Sequence, residues 1–391
     1  MSHAILAPSS APVWGHCTGS VNAQRGRPDP ETPQSREGTA AHWVMAEVLL
    51  NFKHNGRGPL LASDYLGKTA PNGVVIDHKM AEGAQVIIDD VLKVCQQYGA
   101  LQSMLIEQRV TMPRIHPENW GTLDAAVPLL ERGYIYIWDY KHGHREVEAE
   151  GNEQLIDYVE GLAEMFAING AMDQHITVCI RIVQPFAYKP SGPISEWVVQ
   201  LSDLRGPFNL LSARAHEALG PNPTLTTGLH CRDCLAVGDC SAARGLVYNL
   251  IDLVNAPFSM DAMTSADMAA ERLILREGKA VLDSRLESIE ETLQHRIAAG
   301  DTSAGLILES KPGRLEYAVP EATAVAFAQQ FGVDIAKPGV VTPTQAVAKA
   351  PAAIRPAFEQ ALKVITRRPP GALNLIPAEK SKTLRAFQPR K

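Results

Sequence analysis

Between Lys79 and Asn169 the hydrophobic period changes twice, and this constrains the fold more than any other feature of the chain. From Lys79 to Tyr98 the apolar residues Val86, Ile87, Val91, Leu92 and Val94 recur at helical spacing, which predicts an amphipathic helix. The pattern then shortens. Met104 to Met112, Thr122 to Leu130 and Gly133 to Tyr140 are brief apolar runs bounded by turn residues, so they read as strands, with Glu131-Arg132-Gly133 as a tight hairpin. Helical spacing returns from Gly151 to Asn169, where Leu155, Tyr158, Val159, Leu162 and Phe166 form one stripe. A further strand follows at His175 to Gln184. Helix, three strands, helix, strand is the order of an α/β core with a mixed sheet.

The flanks are read from the same signals. Gly38 to Phe52 has helical spacing, residues 1–37 and 53–77 read mostly as loop, Glu196 to Leu201 as a further strand and Pro207 to Leu219 as a helix. Beyond Leu250 the character changes to one long polar-rich helix from Ser265 to Ala299, a small hairpin at Leu306 to Val319, and short helices rich in Ala and Pro. We therefore expect two domains, residues 1–250 and 251–391, the second mainly helical. A length of 391 residues, 45% of them hydrophobic, is ample for two buried cores. No apolar run reaches the roughly 18 residues of a membrane span. Met1 to Ser20 has no basic stretch followed by an apolar one, so a cytoplasmic location is expected. The formal net charge of −6 means that a nucleic-acid role needs a local basic surface. One such segment is the tail, where Lys363 to Lys391 carries eight cations against Glu379.

Asp124, in Gly121-Thr122-Leu123-Asp124, lies on the second strand, and Asp139-Tyr140-Lys141 ends the third. If those strands pair through the Glu131 turn, both acids reach one end of the sheet. Two converging carboxylates can hold Mg²⁺ or Mn²⁺, hard cations that take oxygen ligands and keep several waters. Such a cation polarises a phosphodiester and acidifies a bound water. Lys141, two residues after Asp139, shares its face of the strand and can neutralise charge that builds on a phosphate. A lone D-x-K ends many solvated strands, so the neighbours matter. Gln154 and Tyr158 are one helical turn apart on the helix that follows. His42, in Gly38-Thr39-Ala40-Ala41-His42, could add an imidazole ligand.

The chain has six cysteines. Cys231, Cys234 and Cys240 are spaced C-x2-C-x5-C, three thiolates where a closed metal site needs four. Cys17 is the candidate for the fourth. Cys95 and Cys179 lie on apolar stripes and read as buried small hydrophobes.

The ordered set Gly38-x-x-x-His42, Gly121-Thr122-x-Asp124, Asp139-x-Lys141 and Gln154-x-x-x-Tyr158 resembles the RecB-like branch of the PD-(D/E)xK nucleases. The resemblance implies a restriction-endonuclease-like core. It implies metal binding by His42, Asp124, Asp139 and the carbonyl of Tyr140, with Lys141 as the catalytic lysine and Gln154 and Tyr158 contacting DNA or the metal's waters. Glu107 is a candidate for a further acidic position, its role left open. One early cysteine plus three after the core is similar to the iron–sulfur staple of AddB-type nucleases. That implies a [4Fe–4S] cluster on Cys17, Cys231, Cys234 and Cys240, with Zn²⁺ the alternative. The whole chain also resembles an uncharacterised phage and prophage family, through His3 to Ser10, Glu148 to Leu155 and the tail from Leu308 to Pro377. Together these imply a metal-dependent deoxyribonuclease, an exonuclease by preference, in phage DNA recombination, replication or processing. Its partners would be DNA and phage recombination or single-strand-binding proteins. A nuclease fold that holds DNA ends without cutting them is the competing expectation.

Overall fold

The computed structural model describes residues 4–29, 31–56, 61–255, 263–312, 314–337 and 339–377. The chain forms two compact units, Met1–Arg285 and Leu286–Lys391.

The first unit is built on one five-stranded sheet in the order β1-β2-β3-β4-β5: β1 (Leu105–Thr111), β2 (Trp120–Leu129), β3 (Tyr134–Tyr140), β4 (Thr177–Val183) and β5 (Ile194–Gln200). All neighbours are antiparallel except β3 and β4, which run parallel. A parallel pair needs a crossover. It is supplied by α5 (Glu153–Met165), the fifth helix after α1 (Ala11–Trp14), α2 (Ser20–Gln24), α3 (Pro33–Asn55) and α4 (His78–Tyr98). The near-continuous apolar runs of β3 and β4 follow from burial on both faces. Tyr136, Trp138 and Tyr140 point into a layer with α3 and α4, whereas Ile135 and Ile137 point into a layer with α5 and α6 (Arg205–Ala218). Asp139 falls on the α5 side by the same alternation. The hairpin between β2 and β3 is a 3₁₀ turn closed by Gly133, whose φ of 73° suits glycine.

Within the segment read mostly as loop, residues 4–29 are packed into the fold. Leu6, Ala11 and Trp14 are buried in the α5 layer, and the Trp14 indole donates to the Ala7 carbonyl at 3.1 Å. Helix α3 begins at Pro33, with Thr32 capping it by accepting the Ser35 N–H. The local Pro, Ser and Gly content concealed this order because tertiary burial supplies it.

The units divide within α8 (Ser265–Ala298), which follows α7 (Ser241–Asn255), and so later than the boundary expected near Leu250. The reason is local: Val281 of α8 packs with Cys231, Val237 and Ala243, which ties that part of the helix to the first unit.

The second unit contains α9 (Glu321–Gln329), α10 (Pro343–Lys349) and α11 (Arg355–Leu362) around Ala324, Ala346, Phe358 and Leu362. Leu306 to Val319 is not the local hairpin expected. Strand β6 (Leu306–Pro312) pairs with β11 (Pro370–Pro377), and β7 (Glu316–Tyr317) pairs with β10 (Thr366–Arg367), both antiparallel. Leu306 opposes Pro377 and Tyr317 opposes Thr366, so the two pairings form one ribbon whose arms are joined through the helices. Part of the expected basic tail is therefore structural. Arg367 pairs with Glu316 at 2.8 Å, whereas Lys380, Lys382, Arg385, Arg390 and Lys391 lie outside the described residues. No described helix is long and apolar enough to cross a membrane.

Candidate functional site

Every carboxylate-site residue expected from the sequence except Tyr140 lines one open cleft of about 890 Å³. The fold explains the convergence. Helix α5 returns antiparallel to the strands it joins, so its first turn lies beside the end of β3, and Asn152 fixes that turn by accepting the Leu155 N–H at 3.0 Å. Gln154 is thereby set next to Asp139 and Lys141. Tyr158, one turn on, donates its hydroxyl to the Thr122 carbonyl at 2.7 Å and so ties α5 to β2. Gly121 has no side chain because a Cβ there would stand 2.8 Å from that hydroxyl and 2.9 Å from Pro8. His42 enters from α3.

The strand pair β1–β2 carries a distortion at the level of the acids. Ile106 opposes Ala125 and Gln108 opposes Leu123, which sets Glu107 opposite Asp124. Glu107 has φ 45°, an uncommon conformation for a residue with a side chain and one that concentrates at functional sites. The alternation of both strands breaks there. Ile106 and Ala125 pack in the α3–α4 layer, while Val110 and Leu123 pack in the α5 layer. Two carboxylates directly across a ladder repel unless a positive group sits between them. The ligand atoms of His42, Glu107 and Asp124 all lie within 4.8 Å of one another, with His42 Nδ1 3.4 Å from Asp124 and 3.8 Å from Glu107. Burial disfavours the charged imidazole, but Asp124 and Glu107 outweigh it and lift the His42 pKa to about 10. Burial likewise opposes the Asp124 carboxylate, yet His42, the Tyr140 N–H at 2.7 Å and Lys141 hold its pKa below the usual value. An imidazole and two carboxylates converging in this way can hold a divalent cation.

Asp139 stands beside this trio and faces another partner set. Its Oδ1 accepts from Lys141 Nζ at 3.1 Å and from Gln154 Nε2 at 2.9 Å, and Gln154 Oε1 accepts from Lys141 Nζ at 3.0 Å, which closes a triangle. Burial raises the Asp139 pKa, with Lys141 opposing. Burial also works against the Lys141 ammonium, but Asp139 and Asp124 dominate and keep it protonated. Tyr140 turns its side chain into the α3–α4 layer, where its hydroxyl lies 2.9 Å from His142 Nδ1, and it meets the site through its main-chain N–H on Asp124. The geometric trio is thus His42, Glu107 and Asp124, with Asp139 holding the lysine. Glu107 was the acid that motif reading weighted least. Its signal was positional, since antiparallel pairing through the Glu131 turn sets β1 against the Asp124 strand. Arg109, Trp120 and the segment around Pro8 also line the cleft and were not anticipated.

The cysteines form a second cluster. Cys17, Cys231, Cys234 and Cys240 line one small cavity, although Cys17 is separated from the others by most of the first unit. Cys17 and Cys231 are buried. The Cys17 sulfur accepts the Thr226 N–H at 3.4 Å, and Thr18 accepts the Thr224 N–H at 2.8 Å, so the two distant segments are stitched together. Burial, reinforced by Cys17, Cys231 and Cys240, pushes the Cys234 thiol up to about 11. Four sulfurs gathered around one small cavity are a donor set that a cation would stabilise. Next to them His16 stacks on His230 and pairs with Glu153 at 2.8 Å, linking the thiol loops to the first turn of α5. Cys95 and Cys179 are buried among the apolar side chains of the α3–α4 layer, as expected of small hydrophobes.

A family model described as "Protein of unknown function (DUF2800)" matches residues 3–383, and the chain belongs to that family.

Proposed function

We propose that this DUF2800 protein is a metal-dependent deoxyribonuclease of PD-(D/E)xK type, with its active site in the cleft between β1–β3, α3 and α5. The observation that carries the reading is the meeting, in one cleft, of the His42–Glu107–Asp124 trio with the Asp139–Lys141–Gln154 triangle. His42, Glu107 and Asp124 would hold Mg²⁺ or Mn²⁺, a donor set rich in the oxygen ligands these ions prefer. Bound there, such an ion supplies Lewis acidity toward a phosphodiester oxygen and acidifies its water. Lys141 keeps its proton and is aimed by Asp139 and Gln154, so it meets charge that builds on the phosphate without reorganising. Tyr158 holds α5 against β2 and fixes Gln154 at that distance. The open cleft admits a strand of nucleic acid, and action from a DNA end is the mode we favour.

We further propose that Cys17, Cys231, Cys234 and Cys240 hold a [4Fe–4S] cluster in a structural role, with Zn²⁺ as the alternative occupant. A small cavity with four sulfurs in its wall fits either.

The test is incubation of the purified chain with end-labelled linear and circular DNA plus Mg²⁺ or Mn²⁺, beside Asp139→Ala. Shortening of linear DNA by the native chain but not the variant supports the reading, and equal cleavage by both overturns it. Binding of DNA ends without cleavage would favour a holding role for the same cleft.

A further inference from the structure

We infer that Arg109, laid on the ring of Trp120, is a substrate-positioning residue that grips a DNA phosphate next to the one attacked. The inference rests on the nuclease reading above and specifies how that site holds its strand. Three observations lead to it.

Arg109 and Trp120 both line the cleft, and the Arg109 guanidinium carbon lies 3.8 Å from the centre of the Trp120 ring. Stacking of this kind fixes the plane of a guanidinium while leaving its N–H edge to face outward. The second observation is charge. Glu107, Asp124 and Asp139 line the same cleft, and a polyanion approaching them must meet cations. Lys141 is occupied by Asp139 and Gln154, and His42 is held between two carboxylates. Arg109 is exposed and, among the described residues, has no carboxylate in ion-pair reach, unlike Arg114, Arg181 and Arg205, which are all paired. The third is register. Arg109 opposes Thr122, two residues along the ladder from the level of Glu107 and Asp124. Two residues of antiparallel strand span about 7 Å, the scale of one nucleotide step. A guanidinium there meets the neighbouring phosphate when the scissile one lies at the acids. It binds two phosphate oxygens in a planar fork that an ammonium does not reproduce.

The experiment measures binding of a labelled single-stranded oligodeoxynucleotide by fluorescence anisotropy across a range of salt, using the full chain with Ca²⁺ in place of Mg²⁺. Kinetics with Mg²⁺ follow on the same proteins. Arg109→Ala should weaken binding about tenfold and lower the slope of log K against log salt by about 0.7, one phosphate on a single strand. In the kinetics it should raise KM and leave kcat near native. Arg109→Lys should restore the slope but only part of the affinity. Trp120→Phe should keep most of the affinity, and Trp120→Ala should behave like Arg109→Ala. Arg109 is exposed, so its variants should fold. Native binding and cleavage with an Arg109→Ala variant unchanged in slope, affinity and KM overturns the inference and leaves the nuclease reading standing. A native chain that binds no DNA at any salt overturns both.

Discussion

The carboxylate cleft and the thiol cavity solve the same electrostatic problem in opposite ways. Each gathers candidate metal-binding side chains from distant parts of the chain. In the cleft, regular elements do the gathering: α3, β1, β2, β3 and α5 each contribute, and the result is open, at about 890 Å³. In the cavity, turns and short helical segments do it, and the result is small, with Cys17 and Cys231 buried and Cys234 and Cys240 half-buried. An open site keeps positions free for substrate and water, whereas a metal whose four ligands are all protein groups leaves none and serves the fold. On the proposed function the first site carries the chemistry and the second the architecture, and that contrast can be attacked from either side.

The largest effect should come from the cleft. Asp124→Ala and Lys141→Ala should each lower cleavage on the order of 10²-fold or more, with the fold retained. A variant that loses its fold along with its activity would erase the contrast. In the cavity the expectation reverses. Cys17→Ser should release the metal and lower stability by about 5 kcal/mol if the centre acts as a cross-link closing the loop between Cys17 and Cys231, a fall in Tm on the order of 10 °C. Catalysis per folded molecule should persist. Native protein purified without oxygen should be brown and contain iron; zinc without iron would change the metal, and iron retained in Cys17→Ser would remove that ligand from the set.

A buried carboxylate outside the cleft, hydrogen-bonded by an amide, sharpens the contrast. Asp157 on α5 is fully buried and accepts two hydrogen bonds from Asn119 Nδ2, at 2.7 and 2.9 Å. Burial pushes its pKa up to about 7, Asn119 opposing and Glu160 adding. A folded pKa above the unfolded one means that the native state holds the proton more tightly. Asp157 therefore favours folding most below the unfolded pKa of about 4, and that contribution falls as pH rises toward about 7 and is level beyond. Asp157→Asn should flatten this part of the stability–pH curve, read as Tm against pH, by up to about 4 kcal/mol. An unchanged slope would mean that Asp157 is already ionised at low pH.

The smallest effect belongs to the end of the chain. Residues 366–377 are built into the ribbon, so a truncation that tests the tail should begin after Pro377. Removing Lys380, Lys382, Arg385, Arg390 and Lys391 should weaken DNA binding less than about tenfold and flatten its salt dependence. Identical binding isotherms at every salt concentration would confine the phosphate contacts to the cleft.

What was legible in the sequence follows from the range of the interactions involved. Local periodicity and burial on both faces betray β3 and β4, and the Asn152 cap marks the start of α5 within a residue or two. The set His42, Asp124, Asp139, Lys141, Gln154 and Tyr158 was legible because each sits at a fixed place in a regular element. The backbone turn at Glu107 was not, because no local signal asks a glutamate for φ 45°. Nor was the packing of residues 4–29, whose cohesion comes from Leu6 and Trp14 sinking into a layer made much later in the chain. The ribbon failed for a related reason: β6 and β7 look like a hairpin until the strands after α11 are present to compete for them.

The stitch between Cys17–Thr18 and Thr224–Thr226 has a consequence in time. A chain emerging from the ribosome at about 5–20 residues per second completes β1 through β4 well before its N-terminal segment can find its seat beside Thr224. Contacts of such high sequence separation form late. The Pro8 wall can seat against β2 and α5 as soon as those elements exist, whereas the four thiols stay unassembled during that interval. The cleft is then walled before the thiols can meet, and joining Cys17–Thr18 to Thr224–Thr226 is a separate, later step that assembles the thiol centre.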